Sequence, residues 1–197
     1  MGRVGVGAGR VGAVKEQPRE VLETRRLRLE PVSSRHAEGL YQAALASRAQ
    51  LQPWMPWATE INMKSNQNYT AEAERSWNTD AEFHFVVLED DLVLGVIGLN
   101  RDGDRSAELH YWIRSDRAGR GYATEAGERI LWWGVEHLGL RTFTLWAGVD
   151  NHASRRVAEK LGFRDVGPLP EPMEGGLGTF LAEGYARSVD DVEPVHG

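Results

Sequence analysis

The stretch Asp116-Arg-Ala-Gly-Arg-Gly-Tyr-Ala-Thr-Glu-Ala126 is entered by a strand-like apolar run and left by a long helix-like one, a junction built to hold a phosphate. Gly119 and Gly121 let the backbone turn tightly, so that successive main-chain N–H groups can face one oxyanion. The positive end of the following helix adds to that field. Arg117 and Arg120 bring cationic charge to the same point, and Thr124 brings a hydroxyl into the first helical turn. Such a turn suits a pyrophosphate. The plainer reading is an ordinary glycine turn between a strand and a helix. Two other phosphate motifs are excluded. No Gly-x-x-x-x-Gly-Lys-Ser/Thr spacing occurs, and Gly-x-Gly-x-x-Gly occurs only at Gly7, Gly9 and Gly12, where no strand precedes it and Pro18 soon follows.

Outward from the junction, Ala107 to Arg114 predicts the entering strand, and Phe83 to Glu89 with Leu92 to Asn100 predicts a hairpin around Asp90-Asp91. The helix after Gly121 carries small or apolar residues at Ala123, Ala126, Ile130, Gly134 and Leu138 and stops at Gly139. Arg141 to Ala147 is the next strand. A helix from His152 to Leu161 follows, capped by Asn151 or Asp150 and stopped by Gly162. Phe163 to Val166 and Phe180 to Arg187 predict the last strands. Towards the N-terminus, Arg26 to Glu30 predicts a first strand, Ser33 or Ser34 caps a helix running towards Ser47, and Thr70 to Thr79 is a second helix.

The chain has 197 residues, 41% of them hydrophobic, which suffices for one well-buried core. One domain over residues 23–189 is expected. It lies between a disordered arm at 1–22, with five glycines from Gly2 to Gly12, and a loose tail at 190–197. No apolar run approaches a membrane span and no signal-like segment opens the chain, so a soluble cytoplasmic protein is expected. Cysteine is absent, which removes disulfides, thiolate metal sites and a cysteine nucleophile. The six histidines have no HExxH-like spacing, so no metal is expected. A net charge of −6 argues against nucleic acid as a partner and favours cationic substrates.

Taken together, the strand Ala107 to Arg114, the turn Gly119 to Ala126 and Asn151-x-x-Ser154-x-x-Val-Ala-Glu-Lys-Leu-Gly-Phe163 resemble the GNAT superfamily of acetyl-CoA-dependent N-acetyltransferases. The order of elements agrees from about residue 24 to 188. Within the superfamily, Glu23-Thr-Arg-Arg-Leu-Arg-Leu29, Leu51-Gln-Pro-Trp-Met-Pro-Trp57 and Ala107 to Ile113 look like the RimJ/RimL-type ribosomal-protein N-terminal acetyltransferases. The resemblance implies an α/β (α+β) fold: a mixed, mostly antiparallel sheet of six to seven strands, flanked by helices and splayed between the strand ending near Arg114 and the strand ending near Ala147. Acetyl-CoA would lie in that gap as co-substrate, without a metal. Its pyrophosphate would rest on Gly119 to Ala123, with Ile113, Arg117, Arg120, Tyr122, Thr124, Asn151 and Ser154 as further contacts. Ala118 departs from the commoner motif, which has Arg or Gln there. His110 stands where relatives often have glycine.

Direct attack of an amine on a thioester needs a neutral nitrogen, a stabilised oxyanion and a leaving thiolate, and no covalent enzyme intermediate. Strand alternation puts Glu108, His110 and Trp112 on one face and Leu109, Tyr111 and Ile113 on the other. Glu108 matches the position of a glutamate that serves the resembling family as general base, directly or through water. Its alternative is a solvated strand carboxylate. His110 either relays that proton and contacts the substrate, or is a satisfied or exposed histidine. Ser154 matches the proton donor to the leaving thiolate, or is simply a helix-start hydroxyl. Trp54 and Trp57, on a segment broken by Pro53 and Pro56, are either acceptor walls or packing anchors. At pH 7 about 14% of an α-amine is neutral against about 0.04% of a lysine, so one modest carboxylate suffices for an N-terminus. The expected acceptor is a ribosomal or other protein N-terminus, with a small amine such as a polyamine, aminoglycoside or toxin as the alternative. A non-catalytic acetyl-CoA-binding module is the rival from another class. A homodimer is expected.

Overall fold

A computed structural model describes residues 19–189. Asp90, in the left-handed region at φ 53°, closes a two-residue turn between β3 (Glu82–Glu89) and β4 (Leu92–Arg101). Ahead of this hairpin run β1 (Leu22–Glu23), β2 (Arg28–Pro31), a 3-10 turn Ser34–His36, α1 (Ala37–Ala46), α2 (Arg48–Leu51), a 3-10 turn Pro56–Thr59 and α3 (Met63–Asn78). After it come β5 (Ser106–Ile113), α4 (Tyr122–Leu138), β6 (Thr142–Gly148), α5 (His152–Lys160), β7 (Arg164–Pro168), β8 (Met173–Gly175), β9 (Gly178–Phe180) and β10 (Ala182–Ser188).

Eight strands form one sheet in the order β1-β2-β3-β4-β5-β6-β10-β7, and β8 and β9 make a separate hairpin. Every pairing in the large sheet is antiparallel except that of β5 with β6. The implied mixed, mostly antiparallel sheet flanked by helices is thus what the chain forms. Its eighth strand, β1, is two residues long and carries no alternation to read. The β8–β9 hairpin lies in a turn-rich stretch around Gly175 and Gly176.

The parallel contact between β5 and β6 lasts three residues, Ser106↔Thr142, Ala107↔Phe143 and Glu108↔Thr144. Beyond Glu108 the strands part, while β4 still pairs β5 as far as Ile113 and β10 still pairs β6 as far as Gly148. The result is a wedge-shaped gap whose two edges are main chain. A bulge between Val87 and Leu88 bends the neighbouring hairpin at the level of the gap's open end. There a Cβ on Gly95 would collide with the Trp112 carbonyl, so only glycine lets β4 lie so close to β5.

Each strand of the hairpin and β5 serves two faces. On one, Phe83, Phe85, Ile97, Leu99, Leu109 and Phe143 pack under Ile130 and Trp133 of α4 and Ala158 of α5 into one apolar core. On the other, Val86, Val96 and Leu88 pack under Leu40 of α1 and Ala73 of α3, with Trp112 against them. Trp77, at the end of α3, reaches the first core through Phe83, Phe85 and Trp133. α3 starts at Met63, seven residues earlier than the apolar pattern suggests, under an Asn62 cap whose side chain accepts from Ser65 N at 2.9 Å.

The N-terminal boundary lies upstream of residue 23. Leu22 is fully buried, Glu20 accepts from the Trp133 indole at 3.1 Å, and Arg19 donates to Asn78 at 2.9 Å. The side chain at 22 fills the core next to Leu29, its cross-strand partner, which composition alone does not disclose. The rest of the expected arm, with the Gly7/Gly9/Gly12 spacing, and the tail at 190–197 lie outside the described residues. Among the described residues no helix is long and apolar enough to cross a membrane.

Candidate active site

The phosphate-type turn has the backbone its glycines implied, with Gly119 at φ 76° and Gly121 at φ 82°. Gly121 is the N-cap of α4 and no side chain caps that helix, in contrast to Asn62 on α3 and Asn151 on α5. The first intrahelical bond runs from Glu125 N to Gly121 O at 3.0 Å, so the preceding first-turn N–H groups have no partner within the helix. Among the arginines, Arg120 is exposed at the turn, whereas Arg117 is drawn aside by Glu89 at 3.2 Å. Tyr122 is buried, and its hydroxyl also bonds Glu89. Ala123 and Thr124 are half-buried in the first turn of α4, and Ile113 ends β5 at the mouth of the gap.

On the far side of the gap, Asn151 caps α5 by accepting from Ser154 N at 3.1 Å, which leaves its amide NH₂ free of that duty. The Ser154 hydroxyl lies 2.9 Å from the Tyr111 hydroxyl. Tyr111 is a partner that sequence reading missed. Burial pushes its pKa up to about 12, against the hydrogen bond to Ser154, which lowers it, so it stays a neutral phenol near neutral pH.

The opposite face of the sheet carries two polar rows that only strand register can assemble. Glu82, Asn100, Glu108 and Thr144 stand side by side on β3, β4, β5 and β6, and His84, Gly98 and His110 form the next row. Glu108 is therefore the last paired residue before β5 and β6 part. Burial raises its pKa, a hydrogen bond from the Trp146 indole lowers it, and the charge of Asp102 raises it, the net shift being upward. With His84 Nε2 donating to Asn100 Oδ1 at 3.0 Å, His84 Nδ1 accepts from the Tyr69 hydroxyl at 3.0 Å.

The rings of His84 and His110 meet edge to face, 4.5 Å between centroids, over Gly98. A Cβ on Gly98 would lie 2.6 Å from His110 Cε1 and 2.8 Å from His84 Cδ2. His110 Nε2 is buried and has no hydrogen-bond partner among the described residues, and burial together with His84 drives its pKa down to about 3. A ring this averse to charge is a poor proton relay, and with its Nε2 buried and unpartnered it is not the satisfied histidine that the sequence also allowed.

Above these rows, Trp57 leans on Trp112 at 5.7 Å and is 45% exposed, whereas Trp54 packs edge-on against Phe180 at 5.3 Å and covers Gly148. Trp54 is thus packed against its neighbours and half-buried, and Trp57 is an accessible ring. The β8–β9 hairpin holds the same segment from outside, with Gly176 N donating to Gln52 O at 2.8 Å. Among the described residues no group of three His, Asp or Glu side chains could hold a metal ion.

A mostly antiparallel sheet opens between two parallel strands beside an uncapped helix N-terminus, an arrangement able to admit a strand-like chain in the gap and a phosphate at the turn. The chain belongs to the acetyltransferase (GNAT) domain family, which matches residues 26–164, and acetyl-CoA is its co-substrate. It is 26% identical over 169 residues to the ribosomal-protein-serine acetyltransferase of Escherichia coli (strain K12), covering 84% of this chain and 89% of that protein. Among solved structures it shares its fold with RimJ of Mycobacterium smegmatis in complex with CoA-disulfide. That match has a TM-score of 0.83 and 23% identity, over 89% of this chain and 90% of that one. It also shares the fold of the microcin C7 self-immunity acetyltransferase MccE in complex with acetyl-CoA and AMP, with a TM-score of 0.79 and 17% identity, over 84% and 94% of the two chains.

Proposed function

We propose that the protein transfers acetyl from acetyl-CoA to the α-amine of a protein or peptide N-terminus, by direct attack of the amine on the thioester. The observation that carries this reading is the position of Glu108, the carboxylate at the point where β5 and β6 part, with its pKa raised by burial. A base shifted towards neutrality takes a proton from an attacking amine, directly or through one water. The residues fit the co-substrate: the free N–H groups from Gly119 to Ala123 suit a pyrophosphate, with Arg120 and Thr124 beside them. The unpaired edge of β5 up to Ile113 and the amide of Asn151 suit the pantetheine arm. The Ser154 hydroxyl, steadied by Tyr111, protonates the departing thiolate. Arg117 acts by shaping the turn through Glu89 rather than by touching phosphate, and Trp57 walls the acceptor side.

An α-amine needs less help than a lysine to lose its proton, and the E. coli relative is named for a serine of a ribosomal protein. A small amine is the second reading, and the accessible Trp57–Trp112 pair, which suits a flat ring, favours it. The proposal extends to a cytoplasmic enzyme with a catalytic domain ending near residue 189 and working as a homodimer, a state that sedimentation would test. Purified protein should be offered peptides with free N-terminal Ser or Ala, lysine peptides, polyamines and aminoglycosides at matched concentration, with products read by mass. Preferential modification of N-terminal Ser and Ala is expected. Exclusive modification of the small amines would reject the N-terminal reading. CoA binding without transfer to any amine would make the protein a non-catalytic module.

A further inference from the structure

Arg26 sits 94 residues from Arg120 in sequence and is joined to the phosphate-type turn by a fork of bonds. Its Nε donates to Glu125 Oε2 at 2.7 Å, its Nη2 pairs with the same oxygen at 2.7 Å, and its Nη1 donates to the Arg120 carbonyl at 3.1 Å. Its guanidinium also lies 4.6 Å from the centre of the Tyr122 ring. The other Glu125 oxygen accepts from Arg26 N at 2.9 Å and from the Thr24 hydroxyl at 2.6 Å. Burial opposes the charge on Glu125, but the hydrogen bonds from Thr24 and Arg26 outweigh it and hold its pKa below the ordinary value.

We infer that Arg26 and Glu125 form a latch that presets the phosphate-binding turn, which makes Arg26 a positioning residue for the co-substrate rather than a phosphate ligand. The inference rests on the acetyl-CoA reading of this turn. Three of the guanidinium's five N–H donors are already engaged, one on each nitrogen, and the charge is matched by a carboxylate that is only 18% exposed. What the fork controls is geometry. A bond to the Arg120 carbonyl fixes the Arg120–Gly121 peptide, in a stretch whose two positive-φ glycines have the most conformational freedom to lose on ordering. Turning that carbonyl towards Arg26 points the N–H of the same planar peptide, that of Gly121, to the opposite side. Glu89 holds the same turn from the other flank through Arg117 and Tyr122. A turn ordered in advance does not charge its ordering to the binding step.

Lysine at 26 keeps the charge but cannot reach Glu125 and the Arg120 carbonyl with one planar fork, so Arg26→Lys isolates geometry from charge. Calorimetry with CoA should show roughly tenfold weaker binding for Arg26→Lys and for Glu125→Gln, and the double variant should be no worse than either single one. At saturating acetyl-CoA, kcat should stay within about twofold of the parent. S-acetylpantetheine, a donor cut off before the pyrophosphate, should be used by parent and variants with the same kcat/KM. Unchanged CoA affinity in folded Arg26→Lys would overturn the latch, as would equal losses with both donors, which would mark a general loss of fold. If the parent itself bound no CoA, the acetyl-CoA reading beneath the inference would fall with it.

Discussion

The two faces of the central strands are built from alternate residues of the same segments, yet they obey opposite rules. Under α4 and α5 the face is continuous hydrocarbon and aromatic ring, with Phe83, Phe85, Leu99, Leu109 and Trp133 all buried. Under α1 and α3 the apolar patch around Val86 and Val96 gives way within one register step to His84, Gly98 and His110, and within two to Glu82, Asn100 and Glu108. The first face holds the strands in place whatever happens in the gap. The second is shaped by the groups it must keep partly dry. A strand with one face of each kind lets stability and chemistry be altered almost independently, at positions one residue apart.

Substitutions on either side should break that symmetry in different observables. The largest effect is expected from Trp133→Ala, which empties a fully buried site among Trp77, Phe83 and Phe85 and should lower the unfolding free energy by about 3–5 kcal/mol in a denaturant titration. Near-parental stability of that variant would mean that the apolar face is not the keel of the fold.

Glu108→Gln should instead leave stability and CoA affinity nearly untouched and lower kcat about 10²-fold or more near neutral pH, a barrier increase of about 2.7 kcal/mol. Because burial raises the Glu108 pKa, the parent's kcat/KM should fall on acidification above the ordinary carboxylate range, and the variant should lack that limb and regain part of its rate at higher pH. Identical pH profiles for parent and variant would assign deprotonation to solvent.

Acid stability probes the histidines held away from water. His36, His84 and His110 have depressed pKa values, chiefly from burial, so below about 6.5 the unfolded chain takes up protons that the native protein refuses. Their contribution is complete above that value and is lost as pH falls. For His110, with a native pKa of about 3, the loss from pH 7 to 5 is about 2 kcal/mol. Glu108 works in the opposite direction, since the native state holds its proton more tightly than the unfolded chain does. A His110→Gln variant should show a shallower decline in urea unfolding across this window, and an unchanged slope would show that His110 accepts a proton in the native state.

Ser154→Ala should have the smallest effect, below about tenfold in kcat, because a thiol of pKa about 8.5 leaves tolerably without an acid. A much larger loss would mean that the Tyr111–Ser154 pair orders the gap itself.

Local signals in the sequence reached the parts of the site that are local in space. The glycine turn, the alternation of Glu108 against Leu109 and the Asn151 cap each lie within a few residues of their consequence. Pairs far apart in the chain escaped, as Arg26 with Glu125 and Tyr111 with Ser154 show, since nothing in either segment names its partner. His84 and His110 became neighbours only through a register that passes over Gly98. The start of α3 was hidden for another reason: Lys64 to Gln67 are polar, and the buried positions Thr70, Ala73 and Trp77 come only in its later turns. The β8–β9 strands are three residues each, too short for period-two alternation to declare itself.

The wall over the end of β6 is fastened by backbone. Gly176 N bonds the Gln52 carbonyl, and Gly175 lies so close to the Pro53 carbonyl that a side chain there would collide with it. Because main chain grips main chain, the outward residues of that hairpin and of the Trp54–Trp57 segment can be exchanged without moving the wall they decorate. A wall of this kind can be refaced by exchange of side chains alone, while the turn from Gly119 to Ala123 across the gap is left as it is.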